Sequence, residues 1–208
     1  MRVRILGAAA LLLLFYPSAF AGWARPELRW AETYRYDIRE KKHDLYQNRL
    51  SATFSYLGSD EKSIFKLTTF YENWRNIDKG FSQRNFGGLE IGKDILSWLY
   101  LAESFQCGLM KEDYLYKQDF ETSYYSEAET RLVLSHNLLT TKYINLKWFI
   151  LYEYTYDLRR GSVTRNEAAV GLMMPVGKYI ETGVDWRHID RIQHYDSDTL
   201  EAYLTLVF

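Results

Sequence analysis

The sequence predicts an all-β fold, namely a closed, antiparallel, up-and-down transmembrane β-barrel of ten strands, with eight or twelve strands as alternatives. Apolar and polar residues alternate through most of the chain, which is typical of strands with one face in lipid and the other in a polar interior. Aromatic residues make up 17% of the chain and favour membrane interfaces, although this composition suits an aromatic-rich soluble sandwich equally well. The last segment alternates up to Phe208, and a closed barrel would pair it with the first strand so that no edge is exposed.

Residues 1–21 are predicted to be an export signal. Arg2 and Arg4 form a positive segment, residues 5–15 are apolar, and Ala19-Phe20-Ala21 matches the small-x-small cleavage pattern. The apolar stretch is short for a membrane-spanning helix, which needs about 20 residues. We therefore expect residues 22–208 to form a single barrel domain that crosses the membrane as strands.

Cysteine content and net charge exclude some classes of function. The chain has one cysteine, Cys107, so an intrachain disulfide framework is excluded, and we expect an inert strand residue. The formal net charge of −1 provides no overall field to attract nucleic acid. Nucleic acid is therefore not expected as a partner.

Ten segments show the alternation, and each has about the length that a tilted transmembrane strand requires. The connections after the second, fourth, sixth and eighth segments are compact turns, whereas the others are on average longer and more charged. If both termini are periplasmic, the compact turns are periplasmic and the longer connections are extracellular loops. The segments are 28–38, 46–57, 62–74, 84–92, 98–110, 124–135, 144–156, 166–174, 179–189 and 200–208.

Two glutamates interrupt the apolar face of this pattern. Glu32 falls in the apolar phase of segment 28–38, and Glu103 falls in that of segment 98–110. Either a β-bulge turns both side chains inward, or the phase of the two segments is wrong. The facing of these two segments therefore stays open.

The export signal, the amphipathic strands and the terminal Leu204-Thr205-Leu206-Val207-Phe208 together resemble the small bacterial outer-membrane β-barrel proteins, and the resemblance covers the whole chain. It implies contact with outer-membrane lipid and a location in the outer membrane, with both termini in the periplasm. It also implies that the barrel-assembly machinery recognises the terminal strand through Tyr203, Leu204, Leu206 and Phe208.

Charged residues in the inward phase predict a network that fills and rigidifies the lumen, because an unpaired charge in a poorly solvated interior is costly. The alternative is a narrow pore whose surplus of acidic residues favours cations. Bulky inward residues such as Phe70, Phe86 and Phe149 argue against a wide channel. The predicted network consists of Arg49, Lys66, Glu72, Arg84, Glu90, Glu127, Glu129, Arg131, Lys147, Glu153, Glu167, Glu181, Asp185, Arg187 and Glu201.

A second cluster precedes the last strand and consists of His188, Asp190, His194, Asp196 and Ser197. A histidine beside a carboxylate can act as a general base, and the repeated His-x-Asp spacing could bind a metal. Some outer-membrane proteases and lipid A hydrolases use such groups, but neither the chain length nor the residue order matches them. We therefore expect a solvated loop, with no catalytic residue, metal or cofactor.

These observations leave three hypotheses about function. The first and preferred one is a non-enzymatic outer-membrane barrel with a charged, filled or narrow lumen and a structural or small-solute channel role. The second is an outer-membrane hydrolase, acting on lipid or peptide, with a site near His188 and His194. The third is a soluble periplasmic barrel that binds an apolar ligand. The sequence specifies neither a solute nor an oligomeric state.

Overall fold

The computed structural model describes residues 22–24, 26–58, 63–77, 82–112, 121–141, 144–192 and 196–208. The predicted export signal lies outside the described residues. The strands are β1 Glu27–Asp37, β2 Lys42–Leu57, β3 Ser63–Asn76, β4 Ser82–Leu96, β5 Leu99–Glu112, β6 Glu121–Thr140, β7 Asn145–Asp157, β8 Ser162–Val176, β9 Ile180–Arg191 and β10 Ser197–Val207. Within the described ranges, no helix has the length and apolar character needed to cross a membrane.

The ten strands form one closed barrel. Each strand pairs antiparallel with its neighbours in the sequence, and β1 pairs with β10 to close the sheet. At this seam, the backbone N–H of Phe208 donates to the carbonyl of Leu28 at 2.8 Å. The prediction of a ten-stranded, antiparallel, up-and-down barrel is confirmed. We call the end of the barrel that carries Glu27 and Phe208 the turn end, and the opposite one the loop end.

The outer face of the barrel is apolar and its interior is charged. Large apolar side chains such as Leu50, Ile150 and Val170 are exposed on the outside, whereas Glu167 and Thr155 are almost completely buried in the lumen. This arrangement follows from the period of two in a strand, which sends alternate side chains to opposite faces. It is the reverse of the arrangement in a soluble barrel and is typical of barrels that lie in lipid.

Several strands extend beyond their predicted bounds. β6 continues to Thr140, so His136, predicted to lie in a turn, is a strand residue opposite Trp148. β8 begins at Ser162 and therefore includes Arg165, which precedes the predicted segment 166–174. A strand ends where its backbone hydrogen bonds to the neighbouring strand end. In these strands, the hydrogen bonds continue beyond the residues whose side chains alternate between apolar and polar.

The two irregular glutamates face outward, and both explanations offered for them are wrong. The register shift in the β1–β2 ladder lies between Arg35 and Tyr36, beyond Glu32, and the β5–β6 ladder is regular throughout. Glu103 is exposed on the outer face and accepts a hydrogen bond of 2.7 Å from the Thr130 hydroxyl. The apolar phase of both segments therefore faces outward, and each strand carries a carboxylate on the outer face.

Aromatic side chains in the lumen lie over glycines on the adjacent strand. A side chain at such a glycine would occupy the space that the neighbouring strand or ring already fills. At Gly108, an added Cβ would lie 2.1 Å from the carbonyl oxygen of Asn85 and 2.6 Å from the Cα of Phe86. The directly opposed pairs are Phe70 with Gly88, Phe86 with Gly108, Phe149 with Gly171 and Tyr203 with Gly183.

Replacing Gly108 with Ala is expected to lower the free energy of unfolding by about 1–3 kcal/mol, because the methyl group meets backbone atoms that cannot move aside. The matched control is Gly87→Ala on the outer face, where the nearest atom to an added Cβ is the Phe70 carbonyl oxygen at 3.4 Å. Urea unfolding in detergent, followed by tryptophan fluorescence, measures both. Equal stability of the two variants would contradict this account of inward glycines.

Candidate functional site

Arg131 on β6 is the first centre of the lumen network. Its guanidinium contacts Glu153 on β7 at 2.5 Å, Glu129 on its own strand at 2.9 Å and Glu90 on β4 at 3.1 Å. Alternate residues of a strand share one face, so Glu129 and Arg131 enter the lumen together. The side chain therefore connects strands that are not neighbours in the sheet.

Arg187 on β9 is the second centre. It contacts Glu167 at 2.7 Å, Glu153 at 3.2 Å and Glu201 at 3.4 Å, and it lies 3.7 Å from Asp185 on the same strand. Glu153 is shared with Arg131, so the two centres form one continuous network. Buried carboxylates need such partners, because leaving an ionised group unpaired away from water costs several kcal/mol.

The network closes into a ring through β1, β2 and β3. Arg35 contacts Glu201 at 2.5 Å, and Arg49 lies 3.4 Å from Glu72 and 3.6 Å from Glu90. The indole N–H of Trp74 donates to Glu72, and the Arg35 guanidinium lies 5.8 Å from the indole centroid. The phenol of Tyr100 on β5 donates to Glu90 at 3.1 Å. Each of the ten strands thus contributes a member.

We call this ring the lumen circuit, and its acidic members outnumber its basic ones. The acidic groups are Glu72, Glu90, Glu129, Glu153, Glu167, Asp185 and Glu201, and the basic ones are Arg35, Arg49, Arg131, Arg165 and Arg187. Arg165 joins through Glu167 at 2.7 Å and Glu129 at 3.7 Å. The circuit therefore has a formal surplus of negative charge.

The lumen contains two cavities with a partition between them. The larger, of about 440 Å³, extends from the circuit past Val133 and Met173 toward the turn end. The smaller, of about 140 Å³, lies toward the loop end. Arg35, Trp74 and Arg165 line both cavities and therefore separate them.

Cation–π contacts hold the partition together. The guanidinium groups of Arg84, Arg165 and Arg35 lie 4.9, 5.4 and 5.8 Å from the indole centroid of Trp74. Such contacts are stronger where water is scarce. The indole is thus held across the lumen by guanidinium groups from β1, β4 and β8.

Fourteen of the fifteen predicted network residues fall into three groups. Ten belong to the circuit, and Arg84 pairs with Glu127 at 3.4 Å toward the loop end. Toward the turn end, Lys66 pairs with Asp94 at 2.7 Å and Arg29 lies 3.7 Å from Glu181. Lys147 faces inward but forms no ion pair with any described residue. The ten are Arg49, Glu72, Glu90, Glu129, Arg131, Glu153, Glu167, Asp185, Arg187 and Glu201.

Sequence reasoning missed Arg35, Trp74, Tyr100 and Arg165. Arg35 alternates with the outward residues of segment 28–38, and this phase would have placed it inward if the segment's facing had been decided. Arg165 precedes segment 166–174, and because the apolar alternation begins only after it, the pattern predicts a loop at this position. Trp74 shares the inward phase of Phe70 and Glu72, but nothing in the sequence indicates that its ring crosses the lumen.

Two members of the histidine cluster, His188 and Ser197, lie on opposite faces of the barrel wall. His188 faces outward, stacks on Trp186 and contacts Asp198, with its Nδ1 atom 2.8 Å from the carboxylate Oδ1. Ser197 faces the lumen, where its hydroxyl accepts a hydrogen bond of 2.8 Å from Arg191. The barrel wall therefore separates the hydroxyl from the imidazole.

Neither Asp190 nor Asp196 contacts His188 through its side chain in any described hydrogen bond or ion pair. Asp190 lies opposite Asn166 in the β8–β9 ladder, and the backbone carbonyl of Asp196 accepts from Arg39 at 3.2 Å. His194 lies outside the described residues. Nowhere in the described part of the chain do three or more His, Cys, Asp or Glu side chains group as a metal site would require.

The predicted assembly residues occupy both faces of β10. Leu204 and Phe208 are exposed on the outer face, and Leu206 lies in the same phase. Tyr203 faces the lumen, where it covers Gly183. Only three of the four residues therefore share one surface.

Three solved structures show what the chain is similar to. LpxR from Salmonella typhimurium aligns at 10% identity with a TM-score of 0.49, covering 86% of this chain and all of that chain. The NanC porin aligns at 11% identity with a TM-score of 0.42, covering 86% and 98%. The β domain of the Bordetella autotransporter Brka aligns at 7% identity with a TM-score of 0.44, covering 89% and 99%. No protein-family model and no curated protein matches the sequence.

Replacing Arg187 with Met is expected to lower the free energy of unfolding by about 3–5 kcal/mol, because three glutamates lose a buried partner. The matched control is Lys147→Met, which removes an inward cation that has no ion pair among the described residues. Both are measured by urea unfolding in detergent. Adding Glu167→Gln to Arg187→Met is expected to recover part of the loss, and a small effect of Arg187→Met alone would contradict the role of the circuit.

Proposed function

We propose that the chain is an integral protein of the bacterial outer membrane that crosses the bilayer by ten strands and has both termini in the periplasm. The apolar outer face supports this proposal, because an exposed apolar surface around a whole barrel would drive aggregation in water. The closed sheet supports it as well, since closure satisfies the backbone hydrogen bonds that lipid cannot.

Within that membrane, we propose a non-enzymatic, structural role for a barrel whose lumen is closed to solutes. The observation that carries this proposal is the partition of Trp74, Arg35 and Arg165, which separates the two cavities. The lumen circuit supports it, because ion pairs from nine strands and the Tyr100 hydrogen bond from β5 hold the wall and the partition in one arrangement.

Replacing Trp74 with Ala is expected to join the two cavities and to produce conductance steps in a planar bilayer, whereas the wild-type chain gives none. The current is expected to favour cations, because carboxylates outnumber guanidinium groups in the circuit. Trp186→Ala is the matched control, since Trp186 is exposed on the outer face. A heat-modifiable shift in gel migration shows that each variant is folded, and a folded but silent Trp74→Ala barrel would contradict the proposed partition.

A narrow cation pathway is the second candidate, and the surplus of carboxylates in the circuit favours it. The same bilayer experiment separates the two functions. Cation-selective steps from the wild-type chain would support the pathway and contradict the closed lumen.

The remaining two hypotheses have less support. For a rim hydrolase, His188 and Ser197 would need to share one face, and they lie on opposite faces of the wall. For a soluble carrier of an apolar ligand, the interior would be apolar and the exterior polar, which is the reverse of the observed arrangement.

We also propose that the barrel-assembly machinery recognises the outer face of β10. Replacing Phe208 with Ala is expected to reduce the amount of folded protein in the outer membrane, because the mutation removes the last exposed ring of that face. Leu200→Ala, on the same face of the same strand, is the control. Membrane fractionation with heat-modifiable migration measures both, and equal yields would contradict the proposal.

A further inference from the structure

Glu103 carries a carboxylate within the apolar band of the outer face. On β5 it lies between the exposed side chains of Leu101 and Phe105, and Ile91 is opposite it on β4. The Thr130 hydroxyl provides one hydrogen bond, at 2.7 Å, and no described cation pairs with the carboxylate. A carboxylate that faces hydrocarbon is costly, so this position favours contact with protein rather than with lipid.

A cation lies in the same patch of the outer wall. Lys93 on β4 is exposed and outward, opposite Leu101 and therefore one diagonal step from Glu103. It forms no hydrogen bond or ion pair with any described residue. The patch thus contains both signs of charge, each available to the complementary group of another molecule.

The patch also combines one large exposed ring with several small side chains. Phe105 protrudes from the wall and is 54% exposed. Leu89 lies directly opposite it on β4, whereas small side chains occupy the outward positions opposite it on β6 and beside it toward the loop end. These positions are Gly87, Cys107, Ser126 and Ala128, which are neighbours across β4, β5 and β6.

We infer that this patch binds a second copy of the chain. Two barrels inserted in the same direction and related by a two-fold axis along the membrane normal would present identical patches to each other. Each copy would then offer Lys93 to Glu103 of the other copy, which satisfies both carboxylates. The inference rests on the proposed membrane location, because the cost of an unpaired outward carboxylate exists only in lipid.

Glu32, the other outward carboxylate, provides a contrast. It lies opposite Asn48 on β2 and Leu204 on β10, and Tyr46 is within hydrogen-bonding reach. Among the described residues of β1, β2 and β10, no outward lysine or arginine lies next to Glu32 as Lys93 lies next to Glu103. The β1–β2 wall therefore lacks the reciprocal charges that make the β4–β5 patch self-complementary.

The test uses the full chain, folded in detergent and in lipid vesicles. Sedimentation in detergent is expected to show a dimer, and a short bis-maleimide is expected to join two copies through Cys107, the single cysteine of the chain. Glu103→Lys or Lys93→Glu alone creates like charges at both contacts and is expected to lower the association constant at least about tenfold. The double variant with both changes restores opposite charges and is expected to restore the dimer.

Glu32→Gln is the matched control and is expected to leave association unchanged. A wild-type chain that sediments as a monomer at every concentration, or a double variant that fails to recover, would overturn the inference. So would attachment of Cys107 in native membranes to a different protein without any self-adduct. Heat-modifiable migration separately reports membrane folding, so a failure of the proposed location is distinguishable from a failure to dimerise.

Discussion

The pairing of charges that cannot reach water is the constraint on which the barrel interior depends. When a sheet closes in lipid, one face of each strand points outward and the other, charged face lines a narrow lumen. Arg131 and Arg187 satisfy this constraint because each forms ion pairs with carboxylates from several strands. Both contact Glu153. The backbone ladder connects only neighbouring strands, whereas these side chains connect strands across the lumen.

Space in the lumen is the second requirement, and glycines provide it. Gly88, Gly108 and Gly171 accept aromatic rings from the opposite position of the adjacent strand, so the rings lie along the wall. Trp74 is the exception, because guanidinium groups from three strands hold it across the lumen. The wall aromatics thus leave room for cavities, and Trp74 divides that room into two parts.

The outer face shows where a simple pattern rule fails. A rule that makes every outward position apolar would require Glu32 and Glu103 to be turned inward by bulges, yet the ladders pass through both without interruption. A regular ladder leaves both carboxylates on the apolar outer face, which costs electrostatic free energy at these two positions. Hydrogen bonds from neighbouring side chains reduce that cost. Lys93, which pairs with no described residue, lies near Glu103, so association with another copy would reduce the remaining cost.

The sequence by itself determined the β-barrel class and the face to which most side chains point, because a period of two is a local property of the chain, and it favoured ten strands over eight or twelve. It also provided most members of the lumen circuit, since charges in the inward phase must share one interior. Only the tertiary structure decided which charges pair, that Arg35 and Arg165 complete the ring, and that His188 and Ser197 lie on opposite faces. These outcomes depend on the register and closure of the barrel, which bring together residues that are distant in the chain and that no local pattern relates.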